Sequence, residues 1–170
     1  IQAAYQQKDC DSVLNTHRVW SWLYPIRSLQ GNLPDLALEC ALYTNAEKLQ
    51  EAHSWMDAHK TYKACAEKYP NGILALDANQ KAAFSLISLA REQSEKKSYS
   101  ESINTLQMVM GAYPDVLEAQ DLYANVLVNW SKEYQAQEKF LSAEDVLLTL
   151  ENWAHDGAYE EYIALSQAEL

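Results

Sequence analysis

Glycine and proline are scarce, 4 of each in 170 residues. A chain so poor in turn formers lacks the punctuation of an all-β fold, and no alternating strand run bounded by turn residues is found. Basic residues are few, 13 against 24 acidic, for a net charge of −11. Such a surface repels phosphate backbones, and Lys and Arg are scattered rather than striped, which excludes nucleic acid as a partner. No apolar run approaches the ~20 residues of a membrane span, so the chain is not membrane-spanning. There are 3 cysteines, Cys10, Cys40 and Cys65. An odd number, far apart and without a CxxC pair, is neither a disulfide framework nor a zinc site. They are read as small packing residues, with one disulfide plus a free thiol as the alternative. Their number points toward a reducing compartment, the cytoplasm first. The chain begins at Ile1 with neither initiator Met nor signal peptide. It reads as a piece of something longer, so a periplasmic or secreted location stays open.

What is plentiful is Ala, Leu, Glu, Gln and Lys, the strong helix formers. The expected class is all-α, in one domain covering 1–170. A helix tail over 1–9 leads to a second helix capped by Asp9 or Asp11 and ended at Tyr24 by Pro25. A connection over 26–32 carries the turn signal Gly31-Asn32. Pro34 and Asp35 open a helix to about Ala52. Ser54 caps the next, Trp55 to about Lys68. A long helix follows over 73–97, a shorter one over 100–112 ended by Tyr113-Pro114, and another long one over 115–139. Leu141 or Ser142 marks a break before a helix over 143–154. Asp156-Gly157 stops that helix, and a last one begins at Ala158. Each helix carries an apolar stripe at three- and four-residue spacing and must pack against neighbours.

The stretch AHKTYKACAEKYP, 58–70, shows how the chain is organised. Its small–x3–large–x2–small pattern, here Ala58, Tyr62 and Cys65 before Pro70, recurs elsewhere. Val13, His17 and Trp20 precede Pro25. Ser102, Leu106 and Val109 precede Pro114. Ala143, Leu147 and Leu150 have His155 where proline would fall. By subtraction of 13, 58, 102 and 143 these starts lie 45, 44 and 41 residues apart. The preceding helices keep register with Leu42, Asn45, Ala46 and Leu49, with Leu86, Leu89, Ala90 and Gln93, and with Leu127, Trp130, Ser131 and Tyr134. Near-constant spacing over four units argues for a solenoid rather than a closed bundle.

These residues resemble the tetratricopeptide repeat family, well over 37–155 and poorly over 1–25. The resemblance implies a right-handed α-solenoid of antiparallel helical hairpins, in units of about 33–70, 73–114 and 115–155 with partial units at 1–25 and 158–170. Small pairs, Ala46 with Ala58, Ala90 with Ser102 and Ser131 with Ala143, would let the helices of each hairpin approach closely. The sequence departs from the family in three ways. Ala46, Ala90 and Ser131 replace its glycine, Asn45 and Gln93 stand where apolar residues are expected, and the period exceeds the roughly 34 residues of the motif. The excess at 73–82 and 117–123 reads as extension of the first helices.

The family binds partners along the concave face of its first helices. By resemblance that face carries Tyr43, Glu47 and Gln50, then Phe84, Ile87, Arg91 and Ser94, then Asn125, Val128, Asn129, Lys132 and Gln135. Asn129 and Lys132 are similar to the pair with which some members hold a terminal carboxylate, but Tyr43 and Glu47 occupy places where that clamp needs amide and basic residues. The full clamp is rejected. Against a binding role, Arg91 and Lys132 are solvated residues paired with acids such as Glu95 or Glu133. Trp20 falls in the repeat register and is expected in the core. Trp22 points away, toward neighbouring chain or a docking partner. Trp55 and Trp153 read as inter-helix packing residues.

His17, His53, His59 and His155 show no metal-ligand spacing, and there is no phosphate loop or nucleophile elbow. The pair Glu160-Glu161 lies on a solvated face. No catalytic residue, metal or cofactor is assigned. The expected function is a non-catalytic scaffold that binds a protein or peptide in the concave groove. The alternative is a structural or regulatory module of a larger enzyme or export machine, self-associating in a homo-oligomer or larger complex. A helical hydrolase is the third reading, and a substrate screen is expected to find no activity.

Overall fold

The computed structural model describes residues 1–24, 31–153 and 163–164. The expectations for Pro25 and 26–30, for His155, for the Asp156-Gly157 stop, for Glu160-Glu161 and for the last helix, apart from 163–164, lie outside the described residues. Within them the chain is all-helical, with eight helices: α1 Gln2–Gln6, α2 Cys10–Leu23, α3 Leu33–Glu51, α4 Trp55–Lys68, α5 Ala75–Glu95, α6 Tyr99–Ala112, α7 Leu117–Ala136 and α8 Phe140–Trp153. They form two compact units, Ile1–Leu86 and Ile87–Leu170, with the boundary inside α5.

The helices pair in sequence order, and one turn joins each pair. Lys8, His53, Lys97 and Glu138 all sit in the left-handed region, with φ between 57° and 61°. By subtraction these positions lie 45, 44 and 41 residues apart, the spacing of the sequence repeat. After each comes a residue whose N–H reaches back five positions. Asp9 donates to Ala4 O at 3.0 Å, Ser54 to Leu49 O at 2.9 Å, Ser98 to Gln93 O at 2.8 Å and Lys139 to Tyr134 O at 2.9 Å. The left-handed residues themselves donate three positions back, to Tyr5, Gln50, Ser94 and Gln135. The pattern is a Schellman closure, which satisfies the carbonyls a helix end leaves open. None of the four positions is glycine, the residue that adopts this conformation without steric cost.

The second helix of each pair stops in another shared way. Tyr24, Tyr69 and Tyr113 cap α2, α4 and α6 with φ between −136° and −122° and ψ of 59–65°. Each precedes a proline in the sequence, and a proline disfavours helical angles in the residue before it. At the other ends, Asp9 caps α2 by accepting from Ser12 N at 3.0 Å. Ser54 holds the cap position of α4 without a side-chain bond. The expected break at Leu141 or Ser142 is corrected: the turn is at Glu138 and α8 starts at Phe140. With no glycine to mark it, the turn was invisible in composition. α5 and α7 are also shorter than expected at both ends.

Burial follows the repeat register from α4 onward. Ala58, Tyr62 and Cys65, Ser102, Leu106 and Val109, and Ala143, Leu147 and Leu150 are all fully buried. So are Ala46, Ala90 and Ser131 on the partner helices. Fully burying a leucine stabilises by roughly 1.5–3 kcal/mol. The small pairs let the helices of each hairpin come together, and Ser102 Oγ donates to Ala90 O at 2.7 Å across one such crossing. Gln93, where an apolar residue was expected, accepts from Thr105 Oγ1 at 2.8 Å, and Asn45 is exposed. In the second unit Trp153 packs on Tyr123 with ring centroids 5.2 Å apart, as the inter-helix reading expected.

The first hairpin is different. On α2 only Cys10 and Val13 are buried. Trp20, expected in the core, is 37 % exposed and stacks on Tyr24 at 4.6 Å. The buried stripe of α2 ends after Val13, so the repeat register continues in sequence without a packed neighbour among the described residues. Cys10 and Cys40 form a disulfide that ties α2 to α3, with Cα atoms 5.1 Å apart, and Cys65 is a buried free thiol. This is the one-disulfide alternative, and the plain packing role for Cys10 and Cys40 is corrected. No helix among the described residues is long and apolar enough to cross a membrane.

A second tie meets at Glu39, a 2 % exposed carboxylate on α3. Tyr5 OH donates to its Oε2, and Leu74 N donates to its Oε1 at 3.1 Å. The same Tyr5 oxygen accepts from Ile73 N at 3.0 Å. Burying a carboxylate costs heavily unless it is hydrogen-bonded, and here α1, α3 and the 72–74 turn all converge on it. Gly72 leaves room for the approach, since a Cβ there would overlap the Glu39 carboxylate and displace it.

Two expectations follow. Reduction of Cys10–Cys40 releases a loop of sequence separation 30, worth about 3–4 kcal/mol on the chain-entropy estimate. Thermal denaturation with and without reductant is expected to show the loss, and the Cys10→Ser/Cys40→Ser double variant is expected to be insensitive to reductant. Glu138→Gly is expected to stabilise the chain by about 0.5–1 kcal/mol, relief of left-handed strain exceeding the added entropy of the unfolded chain. A denaturation midpoint that falls instead contradicts this reading of the turn.

Candidate functional site

Tyr43, Glu47 and Gln50 lie at i, i+4 and i+7 on α3 and so share one face. The structure brings them together around an unexpected residue, Lys81 of α5. Its Nζ lies 2.8 Å from Glu47 Oε1 and 3.8 Å from Asp77. It also sits 4.7 Å from the centroid of the Tyr43 ring and 5.8 Å from that of Tyr62. Tyr43 OH donates to Asp77, and Tyr62 OH donates to Gln50 Oε1 at 3.0 Å. The two tyrosine rings meet edge to face at 5.5 Å. An ammonium over ring faces gains roughly 0.5–2 kcal/mol depending on its desolvation.

The environment shifts the titrations in a consistent direction. Burial and then the bond to Asp77 hold the Tyr43 hydroxyl neutral well above its ordinary range. Burial does the same for Tyr62. Burial opposes the charge on Lys81, but the hydrogen bond to Glu47 and the facing acids outweigh it and raise its pKa. Elsewhere in this unit burial and the Glu39 bond push Tyr5 up to about 12, and burial pushes the Cys65 thiol up to about 11. A thiol so raised carries little nucleophilic thiolate near neutral pH.

The remaining predicted positions fall in different environments. Phe84 is 46 % exposed, whereas Ile87 is buried, as is Tyr43. Arg91 is exposed and pairs with Glu118 of α7, not with Glu95. Ser94, Val128 and Gln135 are half-buried, and Asn125, Asn129 and Lys132 are exposed on α7. Glu133 pairs with Lys97 at 2.7 Å. Tyr99 stacks on Trp130 at 6.2 Å beside that pair.

Sequence reasoning missed Lys81, Asp77 and the contribution of Tyr62. Asp77 and Lys81 stand at i, i+4 on α5, a readable signal for a charged helix face. Their partners Tyr43 and Glu47 are each 34 residues upstream, which only the packing of α3 against α5 connects. Trp55 also borders this face and meets His53 edge to face at 4.9 Å. Among the described residues no group of three or more His, Cys, Asp or Glu is arranged to hold a metal ion.

No protein-family model matches the chain. No curated protein matches it, nor does any solved structure.

His59 gives this unit a pH dependence. It is buried on α4, and its Nδ1 donates to Ala82 O at 3.0 Å. Burial, opposed by that bond, lowers its pKa from 6.5. A depressed folded value means a stabilising contribution fully present above 6.5 and lost as pH falls through the folded pKa. Stability is therefore expected to decline below pH 6.5 in the wild type and less steeply in His59→Gln. Urea midpoints measured from pH 7.5 down to 5 on both proteins test this, and parallel curves would refute it.

Proposed function

We propose that this chain is a non-catalytic protein-interaction module of the tetratricopeptide-like type, a right-handed solenoid that binds a protein or peptide on the faces of its first helices. The observation that carries the reading is the repeated hairpin. The left-handed turn recurs with the spacing of the sequence repeat, five residues before each small residue that opens the second-helix pattern. Chains built this way present the first helix of each pair as a recognition surface. The faces named above supply what such recognition uses: the half-buried Glu47 and Gln50 on α3, and the exposed amides and cation of Asn125, Asn129 and Lys132 on α7.

A second reading rests on α2. Val19, Trp22 and Leu23 are 46 %, 79 % and 53 % exposed, beside Trp20 and Tyr24. Apolar aromatic surface of this kind favours docking against other protein. On that reading the chain is a structural or regulatory module within a larger assembly, or self-associates through α2. Sedimentation at rising concentration separates the two, because self-association through α2 is expected to disappear in Trp22→Ser.

The first reading is tested by selecting peptides from a display library on the immobilised protein. The double reversal Arg91→Glu/Lys132→Glu is expected to weaken the selected peptides by about tenfold or more, equivalent to ~1.4 kcal/mol. The cost to folding is expected to be small, since the Arg91–Glu118 pair is exposed. Unchanged affinity in a folded variant would remove these residues from the binding face.

A further inference from the structure

Beside Lys81 a cleft of about 280 Å³ opens, lined by Glu47, Gln50, Glu51, Trp55, Tyr62 and Lys81. The chain's own lysine already shows what its walls hold. Its ammonium reaches Glu47, which also faces the open part of the cleft, and lies over the ring of the buried Tyr62. Two carboxylates of the lining, Glu47 and Glu51, face the one lining cation, Lys81, and Lys8 and Lys48 line the neighbouring cavity that shares those two carboxylates. Lys81 reaches Glu47 and Asp77. Glu51 is exposed and has no ion-pair partner among the described residues. It stands one turn beyond Glu47 on the same face of α3, a spacing at which like charges repel. A second cation between them would relieve that repulsion. An anion would be rejected by the same pair.

We propose that this cleft receives a lysine or arginine side chain of a protein or peptide partner, with its charged head between Glu51 and Glu47 and its stem along Trp55. The inference rests on the protein-interaction reading and adds the chemistry of the partner. Carboxylates give charge-assisted hydrogen bonds to the head, and the Trp55 ring gives cation–π attraction and covers the apolar stem. The net charge of −11 adds long-range attraction for a basic segment and speeds its encounter. A second copy of this chain, with the same acidic surplus, is the poorer occupant.

The test uses the whole chain, labelled with ¹⁵N, and two synthetic nonapeptides with blocked ends. One carries lysines and arginines among alanines, and the other has glutamine at those places. The basic peptide is expected to shift the Trp55 indole N–H signal and to bind more weakly as salt rises. Glu51→Gln is expected to reduce its affinity at least about fivefold, a change of ~1 kcal/mol, whereas Glu144→Gln, the same charge change at an exposed position of α8, leaves it unaltered. The proposal is overturned if the glutamine peptide binds equally, if Trp55 does not respond, if Glu51→Gln and Glu144→Gln behave alike, or if concentration alone shifts the cleft signals. It is also overturned if neither peptide binds at about 1 mM, the weak limit of specific recognition. Should the basic peptide instead shift only the Asn125–Lys132 face, the cleft inference fails and the interaction reading stands. If the display-selected peptides also fail to bind, both fall.

Discussion

Each hairpin depends on one residue held in the left-handed conformation. A helix end leaves carbonyls without partners, and the closure at Lys8, His53, Lys97 and Glu138 satisfies two of them while reversing the chain in a two-residue step. A turn so short fixes where the second helix starts relative to the first. It therefore brings the small residue five positions on, Ala58, Ser102 or Ala143, to the crossing with Ala46, Ala90 or Ser131. The close approach at the crossing requires the turn, and the buried stripe of each second helix requires the approach. The conformation costs something at a non-glycine residue, and the chain accepts that cost four times without changing the geometry.

The crossings solve a similar problem with different chemistry. Ser102 satisfies its hydroxyl on the Ala90 carbonyl. In the last hairpin the hydroxyl sits on the other helix, at Ser131, where its oxygen is buried without a hydrogen-bond partner. A lone buried hydroxyl costs roughly 1–3 kcal/mol, and the same two helices bury Leu127, Leu147 and Leu150. Small size at this position therefore matters more than polarity.

Much of this was legible in the sequence. Helix formers and rare punctuation gave the class. The spacing of Ala58, Ser102 and Ala143 marked hairpins whose second helices bury the residues the register names, together with the small residues Ala46, Ala90 and Ser131 on the first helices. Tyr-Pro pairs marked two helix ends within the described residues. What was hidden depended on contacts between distant residues or on conformations with no residue signature. Glu138 turns the chain left-handed where a glycine would have announced it. Trp20 fits the register yet is exposed, because a repeat in sequence buries a side chain only where a neighbouring helix covers it. The partners of Tyr43 and Glu47 lie on α5, and an i, i+4 acid–base pair alone does not say what it will face. The Cys10–Cys40 bond was one of several allowed states of three cysteines, and only the packing of α2 on α3 selects it.

The first hairpin is consolidated by different means from the hairpins that follow. α1 has five residues and α2 buries only two side chains, so the first hairpin offers little apolar area to α3. What holds it is specific and polar or covalent: the disulfide, and the Tyr5 hydroxyl set on a buried Glu39 that also anchors Leu74 and for which Gly72 leaves room. Such bonds are directional, so they fix α1 and α2 against α3 where burial alone would leave them free to slide. The later hairpins rest on apolar burial: Tyr62, Cys65, Leu74 and Leu86 in the first unit, and Leu106, Val109, Val126, Leu127, Leu147 and Leu150 in the second. The acidic aromatic cleft lies in the unit held by these ties, on an α3 fixed by Cys40 and Glu39 from one side and by Lys81 from the other. A binding surface needs walls that do not yield when a ligand presses on them, and that is what those ties supply.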